Sequence, residues 1–79
     1  MKKALLYIVS SIVDNPKKVD IEEKEEDGII QFTINLAQED MGKVIGKEGK
    51  VIRAIRNVLK IAAIKQGKRI NITLAENLP

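Results

Sequence analysis

Residues 44–52 read VIGKEGKVI, with two glycines three positions apart and aliphatic residues on both sides. Helical patterns precede and follow this segment, so the glycines lie in a short loop that joins two helices. A loop of this length needs backbone freedom, which gives Gly46 and Gly49 a purely structural explanation. That explanation leaves open why basic residues surround the loop and why Lys47 lies at its tip.

Charge is distributed unevenly along the chain. The first 42 residues hold five lysines against nine acidic residues, whereas the residues from Lys43 onward hold nine basic side chains against two acids. The net charge therefore changes sign at the glycine loop. This asymmetry indicates either a polyanionic partner approached from one side or a solvated charged surface.

The composition argues against several classes of function. The chain has no Cys and no His, so we expect no disulfide, no thiolate catalysis, no metal site and a reducing, cytoplasmic location. The segment GKVIGK is one residue short of a Walker A loop, and Glu48 occupies the position of its magnesium-binding Ser or Thr. No set of acid, base and nucleophile is visible, so we predict a non-enzyme without a cofactor. The apolar run near the N-terminus is far shorter than the ~20 residues that span a bilayer, so no membrane contact is predicted.

The spacing of apolar residues predicts six short elements in one domain, residues 1–79. The predicted helices span residues 2–13, 39–45 and 50–66, and the predicted strands lie within 18–36 and at 69–74. Asp27-Gly28 predicts a tight hairpin turn between the first two strands, and Gly67 ends the last helix. The order α-β-β-α-α-β favours an α+β fold in which three helices pack on one face of a three-stranded sheet.

The longest predicted helix has an apolar face and two further isoleucines outside it. At 100° per residue, the apolar face consists of Val51, Ile55, Val58, Leu59 and Ala62. Ile61 and Ile64 fall outside that face, near Asn57. Their spacing of three residues indicates either a contact with another chain or scattered exposed apolar side chains.

The run MGKVIGKEGKVIRAIRNVLKIAA, residues 41–63, resembles the signature of a KH domain, in which a GxxG loop between two helices clamps single-stranded nucleic acid. The element order matches the type II form of that domain. Chain length and motif position resemble the small bacterial single-domain KH proteins of the KhpA family, over essentially the whole chain. This resemblance implies an RNA-binding protein that acts as an RNA chaperone or post-transcriptional regulator, with links to cell-wall homeostasis and cell length.

The resemblance also implies roles for particular residues. The clamp would be Gly46, Lys47, Glu48 and Gly49, with further positive charge from Lys43, Lys50 and Arg53. Ile45 and Ile52, with residues of the second strand, would line an aliphatic groove for the bases. We expect about half of the set Val44, Ile45, Ile52 and Ile55 to be plain core. Glu48 is a departure, because its carboxylate repels phosphate, and it predicts a modest affinity.

The KhpA resemblance further implies a protein partner. Proteins of this type pair with themselves or with a larger, multidomain KH protein of the Jag type. The candidate dimer interface is Asn57, Ile61 and Ile64. An alternative function remains open at this point: a protein-protein adaptor with a degenerate KH fold and no nucleic-acid binding.

Overall fold

The computed structural model describes residues 1–75 of the chain. Its elements are α1 (Lys2–Ile12), β1 (Asp20–Glu26), β2 (Ile29–Asn35), α2 (Met41–Ile45), α3 (Lys50–Lys65) and β3 (Arg69–Leu74). Short 3-10 turns at Pro16–Lys18, Gln38–Asp40 and Lys47–Gly49 precede β1, α2 and α3. The predicted order α-β-β-α-α-β is confirmed, and every predicted helix end lies within two residues of the observed one.

β1 and β2 form the predicted antiparallel hairpin, and its turn is Asp27-Gly28. The φ angles of these two residues are both positive, 54° and 76°. A two-residue type I′ turn requires positive φ at both central positions, and Asp followed by Gly adopts it readily. The turn fixes the register of the hairpin, in which Ile21 lies opposite Ile34.

The sheet has the strand order β1-β2-β3, with β2 antiparallel to β1 and parallel to β3. Neighbouring parallel strands need a long crossover, which α2, the glycine loop and α3 supply. β2 is therefore the central strand, and β1 and β3 are the two edges. β1 buries Ile21 alone and exposes its glutamates, as expected of an edge strand protected against pairing with other chains.

The hydrophobic core lies on one face of the sheet, beneath the helices. Ile30, Phe32 and Ile34 alternate along β2 and are at most 3% exposed. The second and third helices add Val44 from α2 and Ile55, Leu59 and Ala63 from α3. α1 packs beside β1 and α3 beside β3, so the helices cover this single face of the sheet, as predicted. The opposite face is polar, and there Gln31 Nε2 donates a 2.9 Å hydrogen bond to Oγ1 of Thr73.

α1 is formed by the apolar run near the N-terminus. Leu5 and Val9 are fully buried, and Ile8 and Ile12 are half-buried at the same helical spacing. Tyr7 points to solvent on another side of the helix. Among residues 1–75, no helix has both the length and the hydropathy needed to cross a bilayer.

The buried face of α3 differs from the predicted one. The structure buries Ile55, Leu59 and Ala63, which are spaced four residues apart. Val58, predicted to be on the apolar face, is 55% exposed, and Ala62 is only half-buried. The prediction was wrong at Val58, which lies on the side of α3 nearest Ile8 and Ile12 of α1. A shallow apolar cavity of about 390 Å³ remains between the two helices.

Candidate nucleic-acid interface

The glycine loop is a single tight turn between α2 and α3. The N–H of Gly46 donates a 2.8 Å hydrogen bond to the carbonyl of Gly42 and so ends α2. Gly46 has φ 74° and ψ 175°, and Gly49 has φ 73° and ψ 18° just before α3. Glu48 between them also has a positive φ, 57°. Three of the four loop residues thus adopt conformations that favour glycine, so the backbone of this loop is tightly specified.

The two loop glycines differ in what surrounds them. A Cβ at Gly46 would lie 2.3 Å from Cγ2 of Val51 and 2.9 Å from its backbone nitrogen. A Cβ at Gly49 would meet nothing within 4 Å. Gly46 is therefore required by packing inside the protein, whereas the space beside Gly49 is open to a ligand.

α3 begins directly after this open side of the loop. No side chain caps its N-terminus, and its first turn contains no acidic residue. The N–H of Lys50 already donates to the carbonyl of Lys47, so the positive end of the helix dipole, and not this first N–H group, is what the start of α3 offers an anion.

Three cations around the loop are free to contact a ligand. Lys47, Lys50 and Arg53 are exposed. Within residues 1–75 the ion pairs are Lys43–Asp14 and Lys68–Glu25, so none of these three cations has an acidic partner. The structure thus brings together the predicted residues of the loop and two of the three additional basic residues predicted beside it.

The third of those additional cations, Lys43, is already paired. Its Nζ donates a hydrogen bond to Oδ2 of Asp14, in the segment that follows α1. This bond raises the pKa of Lys43 more than partial desolvation lowers it, and the nearby carboxylate of Asp40 adds to the rise. Lys43 stays charged, but its charge is shared with an acid. Its attraction for a phosphate is therefore weaker than its position in the sequence indicates.

Asp40 holds α2 in place, a role that sequence reasoning missed. Its side chain is 1% exposed. Its carboxylate accepts hydrogen bonds from the backbone N–H of Asp14, at 3.2 Å, and from the backbone N–H and Nδ2 of Asn15, each at 3.0 Å. Burial acts to raise the pKa of this carboxyl, but these hydrogen bonds and Lys43 outweigh it and hold the pKa below its usual value. The partners lie 25 and 26 residues away in sequence, so no local pattern could have revealed the contact.

The apolar residues beside the loop divide into core and surface, as predicted. Val44 and Ile55 are buried, whereas Ile45 is 39% exposed and Ile52 is half-buried. Ile45 precedes the loop and Ile52 follows it. Ile45 and Ile52 therefore remain candidates for contact with a base.

The expectation that the second strand lines the same groove is wrong for its three buried apolar residues. β2 is the central strand, and Ile30, Phe32 and Ile34 are covered by the helices. The parallel crossover places β3, not β2, at the sheet edge beside α3. The groove on the sheet side of α3 is therefore bounded by β3, and the cavity on its other side is bounded by α1.

The candidate interface residues on α3 are accessible. Ile61 and Ile64 are 60% and 64% exposed, and Asn57 is also exposed. Val58 adds a third large apolar side chain to the exposed part of α3, although the sequence placed it in the core. The two isoleucines diverge by about 60° around the helix axis, so Ile61 lies nearer Val58 and Ile64 lies nearer β3.

The fold and the loop define a class of protein. An α-β-β-α-α-β chain with a mixed three-stranded sheet and a GxxG loop between its second and third helices is a type II KH domain. The chain belongs to the KhpA/KhpB KH-domain family, whose model matches residues 2–74. This is a family of KH domains and not of enzymes, in agreement with the lack of a catalytic set in the sequence.

Several curated proteins with similar sequences carry one name. A protein named RNA-binding protein KhpA from Clostridium acetobutylicum is 43% identical over 74 residues, which cover 94% of this chain and 99% of that protein. Proteins of the same name from Chlamydia pneumoniae and Listeria monocytogenes are 38% and 36% identical over 76 residues. Each match covers 96% of this chain and 97% or 100% of the relative. The resemblance seen in residues 41–63 is thereby confirmed.

Proposed function

We propose that this chain is a cytoplasmic RNA-binding protein that grips single-stranded RNA at its GKEG loop. The observation that carries the proposal is the open side of the loop, where Gly49 leaves space and Lys47, Lys50 and Arg53 have no acidic partner within the described residues. The shared name of the relatives, RNA-binding protein KhpA, supports RNA as the polyanion.

In this proposal the loop and the start of α3 hold the sugar-phosphate backbone. A phosphate beside Gly49 lies at the positive end of the α3 dipole, and Lys47 adds a charge-assisted contact. The exposed parts of Ile45 and Ile52 lie against bases. The chain has two aromatic residues in all, so stacking on aromatic side chains contributes little and sequence preference is weak.

The wider role in the proposal is that of an RNA chaperone or post-transcriptional regulator linked to cell-wall homeostasis and cell length. This part rests on the resemblance to the KhpA family alone. A chaperone needs contacts that form and break readily. The carboxylate of Glu48 within the clamp supports such a light grip, because it repels the phosphate that Lys47 attracts.

Titration of the protein with a mixed-sequence single-stranded RNA at several salt concentrations tests the proposal. Three phosphate contacts, from Lys47, Lys50 and Arg53, predict that log affinity falls with log salt with a slope of about −2. A duplex of the same sequence serves as the control and is expected to bind more weakly, because its bases are not accessible. Binding that does not respond to salt, or an equal preference for the duplex, would contradict the clamp.

We further propose that the exposed apolar residues of α3 form a contact between two copies of the chain. Val58 and Ile61 form the centre of this surface, with Asn57 and Ile64 beside them. Removing these side chains from water on pairing supplies the driving force. A larger, multidomain KH protein of the Jag type is the alternative partner for the same surface.

Sedimentation of an Ile61→Lys variant tests this contact. We expect the unaltered protein to show a concentration-dependent increase in mass and the variant to remain at the mass of one chain, because a lysine would be desolvated in the contact. Asn71→Lys, on the open face of the sheet, is the matched control and should behave as the parent. Equal masses for parent and Ile61→Lys would remove Ile61 from the interface. Association without RNA binding would instead favour the adaptor function.

A further inference from the structure

The ion pair between Lys43 and Asp14 joins α2 to the segment that follows α1. Nζ of Lys43 donates a hydrogen bond to Oδ2 of Asp14, a residue 29 positions earlier in the chain. Lys43 lies on α2 three residues before Gly46, which is about 4.5 Å along the helix axis. The long, flexible stem of a lysine can reach a strand held at the loop from this distance. The ion pair therefore occupies a cation that is within reach of the proposed RNA site.

The backbone of Asp14 is fixed beside α2 by the buried carboxylate of Asp40. The backbone N–H of Asp14 donates to Oδ1 of Asp40 at 3.2 Å, and the backbone N–H and Nδ2 of Asn15 donate to Oδ2, each at 3.0 Å. Asp40 precedes Lys43 by three residues, so these bonds and the ion pair join the same two segments. The carboxylate of Asp14 thus needs only a side-chain rotation to bind or release Lys43.

Charge and exposure make Asp14 a competitor of phosphate for Lys43. The side chains of Lys43 and Asp14 are 43% and 76% exposed, so both charges are accessible from solvent. A phosphate brought to Nζ of Lys43 would lie close to the carboxylate of Asp14 and would be repelled by it. The hydrogen bond to Asp14 is also the main cause of the raised pKa of Lys43. Lys47, Lys50 and Arg53, in contrast, have no acidic partner within residues 1–75.

We infer that Asp14 limits the affinity of this chain for RNA by withholding Lys43 from phosphate. In the unaltered protein three cations at the loop contact the strand, and the fourth stays with its acid. Without the charge of Asp14, Lys43 is free to neutralise a further phosphate. An exposed ion pair contributes little to stability, so its removal should leave the fold intact. This inference rests on the proposed function and deepens it, because it identifies an acid outside the loop that regulates the same site.

Titration of an Asp14→Asn variant with the mixed-sequence single-stranded RNA tests the inference. The amide keeps the shape of the side chain and removes its charge. We expect affinity to rise about threefold at about 0.1 M salt, and the slope of log affinity against log salt to steepen from about −2 to about −2.8, because a fourth phosphate is neutralised. Asp14→Ser, with a shorter uncharged side chain, should give the same result. Both variants should unfold at the same urea concentration as the parent.

Two matched controls separate the release of Lys43 from a general loss of negative charge. Glu39 is an exposed acid of the same neighbourhood, where its Oε1 accepts a 3.3 Å hydrogen bond from Nδ2 of Asn15. Within residues 1–75 it has no cationic partner, so Glu39→Gln should leave the slope at about −2. Adding Lys43→Gln to Asp14→Asn should return the slope to about −2 and remove most of the gain in affinity.

The possible results separate this inference from the proposed function. A gain for Asp14→Asn no larger than that for Glu39→Gln, or a gain that persists without Lys43, would overturn the inference and leave the clamp intact. A fall in affinity for Asp14→Asn would show that Asp14 orients Lys43 for RNA, and it would overturn the inference as well. Failure of the unaltered protein to bind RNA would overturn the proposed function and this inference with it.

Discussion

Replacing Gly46 with alanine is expected to lower the free energy of unfolding by about 3 kcal/mol, since backbone strain and overpacking act together. The added methyl would lie 2.3 Å from Cγ2 of Val51, and the φ of 74° with ψ of 175° is unfavourable for any residue with a side chain. The valine side chain could turn away. Its backbone nitrogen, 2.9 Å from the methyl, is fixed in the first turn of α3. Urea denaturation at pH 7 measures the loss as a lower midpoint with an unchanged slope.

Two other glycines provide matched controls for this substitution. Gly49 has a positive φ of 73°, but a Cβ there would have no neighbour within 4 Å. Gly49→Ala should therefore lower the free energy of unfolding by only about 1 kcal/mol. Gly42 lies inside α2 with nothing within 4 Å, and alanine there should be neutral or stabilising by up to about 1 kcal/mol. A Gly46→Ala protein as stable as Gly42→Ala would show that the start of α3 moves freely, contrary to the packing described.

The contrast between Gly46 and Gly49 shows what the motif alone could not reveal. Spacing and composition present the two glycines as equivalent, and either could serve a turn or a ligand. Only the position of Val51 on the inner side of the loop distinguishes them. Packing against Val51 explains Gly46, whereas Gly49 is explained by its positive φ and leaves open space beside it.

The elements that were predicted well are those specified by neighbouring residues. Asp27-Gly28 demands positive φ twice and so fixes the hairpin, and the alternation along β2 marks its buried face. α3 is long and strongly amphipathic, begins after Gly49 and is followed by Gly67 with a φ of 69°. Local backbone chemistry and periodicity sufficed for these features.

The features that were missed depend on residues far apart in sequence. Strand order made β2 central and moved the border of the groove to β3, which no periodicity shows. Asp40 bonds to the segment after α1, and Val58 is exposed beside the cavity between α1 and α3. Lys43 was grouped with the free cations because Asp14, its partner, is distant in sequence. Long-range packing thus changed which charges and which apolar residues are available at the site.

Reversing the charge at the loop tip should have the largest effect on RNA affinity. In a titration with single-stranded RNA at 0.1 M salt, Lys47→Asp is expected to bind about thirtyfold more weakly, because a charge-assisted phosphate contact becomes a repulsion. The slope of log affinity against log salt concentration should become shallower by about 0.7, the contribution of one phosphate. Within the described residues Lys47 is exposed and has no acidic partner, so the variant should unfold at the same urea concentration as the parent.

Removing the charge of Glu48, the next residue, should change RNA affinity in the opposite direction. Glu48→Gln keeps the shape of the side chain and removes the charge that opposes phosphate, so affinity should rise by about threefold. Lys65→Asp makes the same charge reversal as Lys47→Asp in the last turn of α3, on another side of the helix, and should change affinity far less. If Lys47→Asp bound RNA as tightly as Lys65→Asp, the loop would not be the clamp. A rise in affinity at Glu48 with a fall at Lys47 is expected of any gain or loss of positive charge near a polyanion, so the larger effect of Lys47→Asp than of Lys65→Asp is what would place a phosphate at the loop.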